Sequence, residues 1–529
     1  MLLPPIAVLF ATRALADTVT LPVAVSPPAS ASTPVPGDFQ SFSIEFAFFP
    51  DFAGNYSHPN HLTNTLLANL RNFTGAEQII RIGGNTQDHV VYIASQKQGI
   101  MNTWDYTYNL DQPKNSTIGP AFWESLNVLQ DTKYIFGLNF YKNDSDFLAN
   151  LQYEVNQTLL RLPSDRLHLF ELGNENDYGA NSGFRPRNWT QFDYVDEWIF
   201  RTRHVQTPQR SLRFFAPSFC CFNITAPTFF SPWTVWNESY RYDRDGWIEE
   251  VSQHGYISST SRNPTLQADS LRNIDEPYLC RPSRPATRRA EHLPPAARTT
   301  VHNRRDEQRL GTGLARGIRR VWLCVVAGRL LSVHRVAGAT PYHRGSVILT
   351  WYTDCLEHHE NPPPPRHATD TASWLPIPVN GTGPLVKPPY YGNIFVAKFL
   401  GWSGPQISNI DLGSDYYSAY AAYEGGKLAR LAILNLHQYD PGMNGTQRPQ
   451  TSFVLPNLPD FTAAKVEVLT APGASSNSSI TVAGLSYDYQ LGQGRGVQVA
   501  ATGTTIESRN GSFTVDVAAS EAVIVSFLQ

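Results

Sequence analysis

The feature that most restricts the fold of this chain is a regular alternation of short apolar runs with helix-period segments. The apolar runs predict buried strands, and the segments between them have leucines and other apolar residues at helical spacing. The predicted strands are 43–49, 79–85, 134–140, 169–172, 213–217 and 251–256, with predicted helices at 61–73 and 147–160. Strands that alternate with helices indicate a parallel sheet, because parallel neighbours need a long crossover connection.

One of these strands continues directly into a carboxyl-bearing turn. Residues Leu169–Leu172 are followed by Gly173, Asn174 and Glu175. In a barrel of eight parallel strands, reacting groups stand at the carboxyl ends of the strands, where a rigid strand fixes their geometry. Glu175 is therefore a candidate acid. A polar loop after a strand is the alternative that this segment alone leaves open.

The pattern changes near residue 400. Short strands then recur between turns rich in Gly, Asn and Ser, which is typical of an antiparallel β-sandwich. The predicted strands are 416–423, 429–435, 465–470, 494–500, 512–517 and 522–528. The predicted fold class is α/β: a (β/α)8 TIM barrel over 17–398 with a C-terminal antiparallel β-sandwich over 399–529.

Composition argues against two classes of binding partner, nucleic acids and membranes. The 529 residues carry a formal net charge of −3, and 41% of them are hydrophobic. A near-neutral chain does not suggest a nucleic acid or an anionic membrane as partner. No apolar run of about 20 residues follows the N-terminal segment, so no membrane span is expected.

The N-terminus and the glycosylation sequons predict export. Residues 1–16 form a short apolar run that ends in Ala14-Leu15-Ala16, as expected for a signal peptide. Asn-x-Ser/Thr sequons are numerous and spread along most of the chain, as in secreted glycoproteins. They begin at Asn55, Asn72, Asn115, Asn143, Asn156, Asn188, Asn223, Asn237, Asn380, Asn444, Asn477 and Asn510.

The cysteines do not form a metal site that can be recognised from the sequence. The chain has 5 cysteines, an odd number for a secreted protein, and none has metal-ligand spacing. Cys355 and the cluster His358-His359-Glu360 resemble ligands, but we interpret them as a chance grouping. We expect no metal and no cofactor.

Several segments, in this order, resemble glycoside hydrolase family 79, in particular its secreted fungal β-glucuronidase-like members, which are relatives of heparanase. The similarity covers roughly residues 17–272 and 374–529. The matching segments are Phe42–Phe46, Arg81–Asp88, Glu171–Asp177, Gln253–Tyr256 and Pro389–Asn393, together with the C-terminal β-rich module.

The resemblance implies a (β/α)8 barrel with a β-sandwich and retaining hydrolysis of β-linked glucuronides. It implies Glu175 as the acid/base and Tyr256 as the tyrosine that orients the nucleophile, although ordinary packing also explains Tyr256. Glu45, Asn85 and Asn174 match residues that contact sugar hydroxyls. The implied partner is a glucuronide or a glycan that contains glucuronic acid.

The second carboxylate of a retaining glycosidase is missing from its expected place. Such an enzyme needs a nucleophile about 5 to 5.5 Å from the acid, and the family carries it in a Gly-Glu-Thr-Asn-Ser segment that this chain lacks. Residues 281–344 instead contain 14 Arg, no Lys and three acids, Glu291, Asp306 and Glu307. A basic surface insertion is one interpretation of this block.

A reading-frame error is the sharper interpretation. A one-base shift of the codons implied by residues 304–311 permits Gly-Glu-Thr-Asn-Ser-Val-Trp, with the glutamate codon straddling Arg305 and Asp306. Further family-like sequence follows in the shifted frame through Leu331. We therefore predict that about residues 275–338 are out of frame, and that this polypeptide lacks strand seven and is inactive or poorly folded there.

A second anomaly, residues 346–373, includes four consecutive prolines and is either a retained intron or a genuine loop. Three functions remain open. They are a secreted retaining β-glucuronidase, a related barrel glycosidase that acts on another β-glycoside, and an inactive carbohydrate-binding glycoprotein. The aglycone, exo or endo action and the oligomeric state are not readable from the sequence.

Overall fold

A computed structural model describes much of the chain outside its central block. The described residues are 17–107, 109, 112–206, 211–220, 230, 235, 245–254, 301–304, 354–355, 372–378, 383–414, 416–442 and 447–528. For residues 251, 253, 301–304 and 354–355 the description covers the backbone alone. The signal peptide predicted at 1–16, most of the proposed out-of-frame block and Tyr256 lie outside these residues.

The first part of the chain alternates strands with helices. Its strands are β1 (Asp17–Thr20), β2 (Ser41–Glu45), β3 (Gln78–Gly83), β4 (Val90–Tyr92), β5 (Ile100–Thr103), β6 (Asn115–Ile118), β7 (Thr132–Leu138), β8 (Leu167–Leu172), β9 (Phe214–Phe219), β10 (Ile248–His254), β11 (Val301–Arg304) and β12 (Asp354–Cys355). Its helices are α1 (Phe49–Ala53), α2 (His61–Thr74), α3 (Phe122–Val128), α4 (Phe147–Arg161) and α5 (Gln191–Val205). Single 3-10 turns cover Phe46–Phe48, Asn85–His89 and Asn176–Tyr178.

Eight of these strands form one parallel sheet. Its order is β11-β10-β9-β8-β7-β3-β2-β12, and each neighbouring pair is parallel. From β2 to β11 the strands therefore follow one another across the sheet in sequence order. The last strand of the sequence, β12, lies beside the first, β2. All the strand carboxyl ends lie at one edge, which is where the candidate site is built.

The two faces of this sheet have different environments. One face contributes Ile80, Phe136 and Phe170 to the large core shared with the helices. The opposite face contributes a separate apolar cluster of Ile79, Ile135, Leu169 and Phe215. Because side chains alternate along a strand, the next residues on that second face, nearer the carboxyl ends, include Arg81 and Glu171.

The C-terminal module is antiparallel. It contains the strands β15 (Gln406–Ile410), β16 (Tyr417–Glu424), β17 (Lys427–Asn435), β18 (Gln450–Leu455), β19 (Ala463–Thr470), β20 (Thr481–Val482), β21 (Leu485–Ser486), β22 (Val497–Gln498), β23 (Thr504–Glu507), β24 (Phe513–Ala518) and β25 (Glu521–Leu528), after the short pair β13 (Trp374–Leu375) and β14 (Leu385–Val386). Helices α6 (Pro388–Leu400) and α7 (Tyr489–Gly492) complete the described elements. A nine-stranded sheet and a three-stranded sheet enclose one apolar core, which includes Leu431, Phe453 and Val515.

Several sequence predictions are corrected here. The residues around Asp17–Thr20 do not belong to the first module, because β1 pairs in parallel with β18 of the C-terminal one. The strand expected over 43–49 ends at Glu45, and a 3-10 turn and α1 follow. The strand expected over 494–500 is reduced to Val497–Gln498.

The two anomalous blocks contribute strands, contrary to the expectation that strand seven is lost. Val301–Arg304 pairs with β10, and Asp354–Cys355 pairs with β2. Parallel pairing uses the backbone, so a short strand can form there without the apolar pattern on which the sequence prediction relied. Apart from Ala372 and Ser373, the rest of both blocks lies outside the described residues.

Candidate active site

Glu175 lies at the carboxyl edge of the parallel sheet, three residues beyond the end of β8. Its φ of 51° and ψ of 45° are left-handed, a conformation that costs a non-glycine residue free energy and is common at functional sites. Two backbone hydrogen bonds hold it, from the Glu175 amide to the Ser218 carbonyl at 2.9 Å and from the Tyr178 amide to the Glu175 carbonyl at 2.9 Å. The Tyr141 hydroxyl also donates to that carbonyl, at 3.2 Å.

A buried histidine contacts the Glu175 carboxyl group. His254 Nδ1 lies 2.6 Å from Glu175 Oε1. The His254 side chain is fully buried, while 12% of the Glu175 side chain is exposed. The carboxyl group is therefore contacted by a buried imidazole, and part of the Glu175 side chain remains exposed.

A buried ion pair supports the residue that precedes Glu175. Arg81 Nε donates to Glu171 Oε2 at 2.6 Å, and the same guanidinium donates to Asn174 Oδ1 at 2.8 Å and to Ser43 Oγ at 3.0 Å. The Ser218 hydroxyl donates to the other oxygen of Glu171. Four strands of the sheet thus share one polar network that fixes the Asn174 amide group.

Asp88 joins the segments that follow β7 and β8 through hydrogen bonds to their backbone. Its two carboxylate oxygens accept the backbone amides of Asn174, at 2.8 Å, and of Phe140, at 2.6 Å. Burial raises the pKa of Asp88 to about 7, against the lowering effect of these two amides. Glu171 raises the pKa further and Arg185 lowers it.

Asp177 adds a third acid near Glu175. It accepts the backbone amide of Cys220 at 2.9 Å. Removal from water is the main reason that the pKa of Asp177 is well above its ordinary value, and the charge of Glu175 raises it further. Asp88 and Asp177, two buried acids near Glu175, thus both have raised pKa values, so each retains its proton more readily than an exposed carboxyl group.

The structure brings most of the sequence-predicted residues together. Asn174 Nδ2 donates to Asn85 Oδ1 at 2.9 Å. Glu45 Oε1 accepts the amide and hydroxyl of Thr86, the neighbour of Asn85, at 2.5 and 2.7 Å. Glu45 is only 2% exposed. Tyr256 lies outside the described residues, two positions after His254.

Sequence reasoning assigned no role to several residues that shape the site. Arg81 and Glu171 each stand alone as a charge in an apolar run, which is the pattern of a buried pair. His254 lies in the segment that resembled the family but carried no predicted function. Among the described residues, no group of three or more His, Cys, Asp or Glu is arranged to hold a metal ion.

A family model and two curated proteins are similar to this chain, and all three are glycoside hydrolases. A model of the glycosyl hydrolase family 79 C-terminal beta domain matches residues 419–524. A beta-glucuronidase of Aspergillus niger is 31% identical over 534 residues, covering 95% of this chain and 93% of that protein. A beta-glucuronidase of Neurospora crassa is 30% identical, covering 90% and 89% respectively.

Solved structures share the fold. The 4-O-alpha-L-rhamnosyl-beta-D-glucuronidase of Fusarium oxysporum 12S superposes with a TM-score of 0.71 at 22% identity, over 96% of this chain and 100% of that one. The GH51 arabinofuranosidase of Xanthomonas axonopodis pv. citri gives a TM-score of 0.60 at 13% identity, over 97% and 99%. On the strength of its relatives, which align along almost its whole length, the chain belongs to glycoside hydrolase family 79.

Proposed function

We propose that this gene encodes a secreted retaining β-glucuronidase in which Glu175 is the acid/base. The observation that carries the proposal is the Glu175 carboxyl group, held by His254 at 2.6 Å and 12% exposed at the carboxyl edge of the parallel sheet. The two curated relatives are named beta-glucuronidases. The expected substrate is therefore a β-linked glucuronide.

In the first step Glu175 protonates the glycosidic oxygen while a second carboxylate attacks the anomeric carbon. The aglycone leaves with the proton, and a glycosyl-enzyme ester forms. Glu175, now a carboxylate, then takes a proton from water as that water cleaves the ester and regenerates the nucleophile. We propose that Asn174 and Asn85 hold hydroxyls of the sugar during both steps.

The position of β11 supports the proposed frame error. Arg304, its last residue, is in register with His254, which contacts Glu175. A carboxylate just beyond Arg304 would thus stand beside the Glu175 site. The glutamate codon of the shifted frame straddles the next two residues, Arg305 and Asp306. We propose that the native protein carries its nucleophile there, and that Glu307 is not that residue.

We also propose that the eight parallel strands close into a barrel. The sheet order already places β12 beside β2, so closure needs only a pairing of β11 with β12. The structural relatives, which align over nearly the whole chain, support this architecture.

Secretion is supported by the surface of the described residues. The asparagines of eight sequons are described, and all eight are exposed. They are Asn55, Asn72, Asn115, Asn143, Asn156, Asn188, Asn477 and Asn510. No helix within the described ranges is long and apolar enough to span a membrane. Digestion of the secreted protein with a peptide-N-glycosidase should lower its mass.

The experiment that tests the function has two stages. The spliced transcript across residues 270–375 is sequenced first, and we expect Gly-Glu-Thr-Asn-Ser in frame. The encoded protein is then assayed on 4-nitrophenyl β-D-glucuronide, β-D-glucoside and β-D-xyloside. Turnover of the glucuronide alone supports the proposal, and preferred turnover of another glycoside contradicts the substrate. A transcript that encodes Arg305-Asp306-Glu307 would favour a carbohydrate-binding protein without turnover.

A further inference from the structure

We propose that three N-linked glycans of this protein lie against its most exposed apolar side chains and cover them. The glycans are those at Asn55, Asn72 and Asn156. The inference rests on the export proposed above, because N-linked glycosylation is a property of secreted proteins. It goes beyond that proposal, since an exposed sequon does not say what its sugars contact. The part of the glycan that makes the contact is its first two N-acetylglucosamine residues.

Three large apolar side chains have the highest exposed fractions among the described residues. They are Leu160 at 75%, Trp402 at 74% and Tyr56 at 63%. A single exposed apolar side chain needs no partner. All three, however, lie next to an exposed asparagine of a sequon, and this shared position identifies the ligand.

The outer face of helix α4 carries the first of these sites. Tyr153, Asn156 and Leu160, all exposed, follow one another at intervals of three and four residues and therefore form one stripe along the helix. Such neighbours have Cβ atoms about 5–6 Å apart, so sugars on the central asparagine reach both apolar residues. Gln152 Nε2 donates to Asn156 Oδ1 at 2.9 Å. This bond restrains the side-chain amide without using the nitrogen that carries the sugar.

Trp402 is held against the residue that carries the second sequon. Its indole Nε1 donates to the Asn72 carbonyl at 3.0 Å. The same ring lies against Gly75, since a Cβ built there would be 2.9 Å from Trp402 Cε3. Part of the indole is thus fixed on the end of helix α2, and the exposed remainder stands beside Asn72. An aromatic ring fixed in this way binds the apolar face of a sugar with little further loss of side-chain entropy.

Tyr56 directly follows the third asparagine, in a tight turn. Asn55 Oδ1 accepts the backbone amides of Ser57 and His58, both at 2.9 Å. These bonds hold the amide oxygen inside the turn, so the amide nitrogen points away from it. Tyr56 also lines a cleft of about 540 Å³, together with polar side chains that include Arg161. A lining that combines an aromatic ring with polar groups suits a sugar, which has an apolar face and hydroxyls.

A second copy of the chain would be the alternative cover for these side chains. On α4, however, a glycan at Asn156 lies between Tyr153 and Leu160 and keeps a protein surface away from both. The three sites also belong to separate elements, namely the turn at Asn55, α4 and the end of α2. Each has its own sequon, so three glycans account for all of them.

Hydroxyl-radical footprinting with mass spectrometry tests the proposal, because it measures the accessibility of individual side chains. The protein is the full-length chain secreted by a fungal host, and its glycans are removed with peptide-N-glycosidase after the radical pulse. We expect each Asn→Gln variant to raise the oxidation rate of its own apolar neighbour about twofold or more, because the lost sugars return apolar surface to water. Asn156→Gln thus acts on Leu160, and Asn72→Gln acts on Trp402.

Asn143→Gln is the matched control. It removes a glycan from an exposed asparagine that is flanked by a lysine and an aspartate, so oxidation of the three apolar side chains should stay unchanged. Val25, 43% exposed, is the internal reference in every sample. Unchanged oxidation in Asn156→Gln and Asn72→Gln would overturn the proposal and leave a second copy as the cover. Unoccupied sites at these two residues, with Asn143 occupied, would overturn it as well. Protein without any N-glycan would also refute the export on which the proposal rests.

Discussion

His254 Nδ1 and Glu175 Oε1 are 2.6 Å apart, although the two residues come from strands that are not neighbours in the sheet. The histidine side chain is completely buried, whereas 12% of the Glu175 side chain is exposed. The candidate acid thus has a hydrogen-bonding partner that has no contact with solvent.

Replacement of His254 should therefore change the pH dependence of catalysis. If Nδ1 donates to the carboxylate, His254→Ala removes a bond that favours the charged form. The alkaline limb of kcat/KM should then move to higher pH, and kcat should fall about tenfold or more because the acid loses its orientation. His254→Asn, which can still donate from a similar position, should retain more of the native profile. If the pH profile of kcat/KM is the same in His254→Ala as in the parent, the contact has no role in proton transfer.

Gly84 should be intolerant of a side chain because of Glu45. A Cβ built on Gly84 would lie 2.1 Å from Glu45 Oε2, and the residue has a φ of +83°. Gly84→Ala must therefore displace a proposed sugar contact, and we expect KM for an aryl glucuronide to rise about tenfold or more.

Gly183→Ala is the matched control for this prediction. Gly183 also has a positive φ, +78°, but its Cβ would meet nothing within 4 Å. Both variants bear backbone strain because φ is positive at each position, whereas only the first moves Glu45. Similar KM values in the two variants would contradict the assignment of Glu45 to substrate binding.

The Arg81–Glu171 pair should dominate the local stability. Both side chains are inaccessible to solvent, so Arg81→Met leaves an uncompensated buried carboxylate and should lower the free energy of unfolding by about 3–5 kcal/mol. The exposed pair of Arg203 and Asp245, at 2.8 Å, is the comparison. Arg203→Met should lower the free energy of unfolding by roughly 0–1 kcal/mol. Denaturant titration measures both, and equal costs would contradict the role of the buried network.

Two buried acids should make the folded state more stable at acidic pH. Burial raises the pKa of Asp88 from 3.8 to about 7 and that of Glu154 from 4.5 to about 8. Between about pH 4 and about pH 8 the folded chain retains protons that the unfolded chain has released. Their contribution is therefore complete below about pH 4 and is lost as the pH rises to about 8.

Glu154→Gln tests this dependence because it removes one titrating group and leaves an oxygen for Asn150, which donates to Glu154 at 2.8 Å. The melting temperature of the variant should fall less steeply between pH 4.5 and 8 than that of the parent. Glu249→Gln, at an exposed position, should leave the slope unchanged. A parent melting temperature that rises through this range would contradict the prediction.

The elements that could be predicted from the sequence are the helices and strands with a regular apolar pattern. Helices α2 and α4 were expected within one residue of their observed ends, because each has an apolar face at helical spacing. Six of the eight strands of the parallel sheet were also predicted, since buried strands are nearly continuous apolar runs, whereas β11 and β12 were not. Glu175 was predicted as a candidate acid because Gly173, Asn174 and Glu175 follow such a run.

What the sequence did not predict depends on contacts between distant residues. The pairing of Asp17–Thr20 with β18 joins segments more than 400 residues apart in the printed sequence. The antiparallel pair of β5 and β6 was not predicted, because each strand has only four residues and is defined by its pairing with the other. Likewise, His254 acquires its role only when β10 and β8 are both in place. No local pattern records these relationships.

The proposed role of Glu175 is that of the acid/base in a two-carboxylate glycosidase. The most direct test is azide rescue of Glu175→Ala in the protein that the transcript encodes, with 2,4-dinitrophenyl β-D-glucuronide as substrate. This leaving group needs no protonation, so the glycosyl-enzyme should form and azide should release it as β-glucuronosyl azide, with a higher turnover rate. An α-glucuronosyl azide would identify Glu175 as the nucleophile, and turnover equal to that of the unmutated enzyme without azide would exclude it from catalysis.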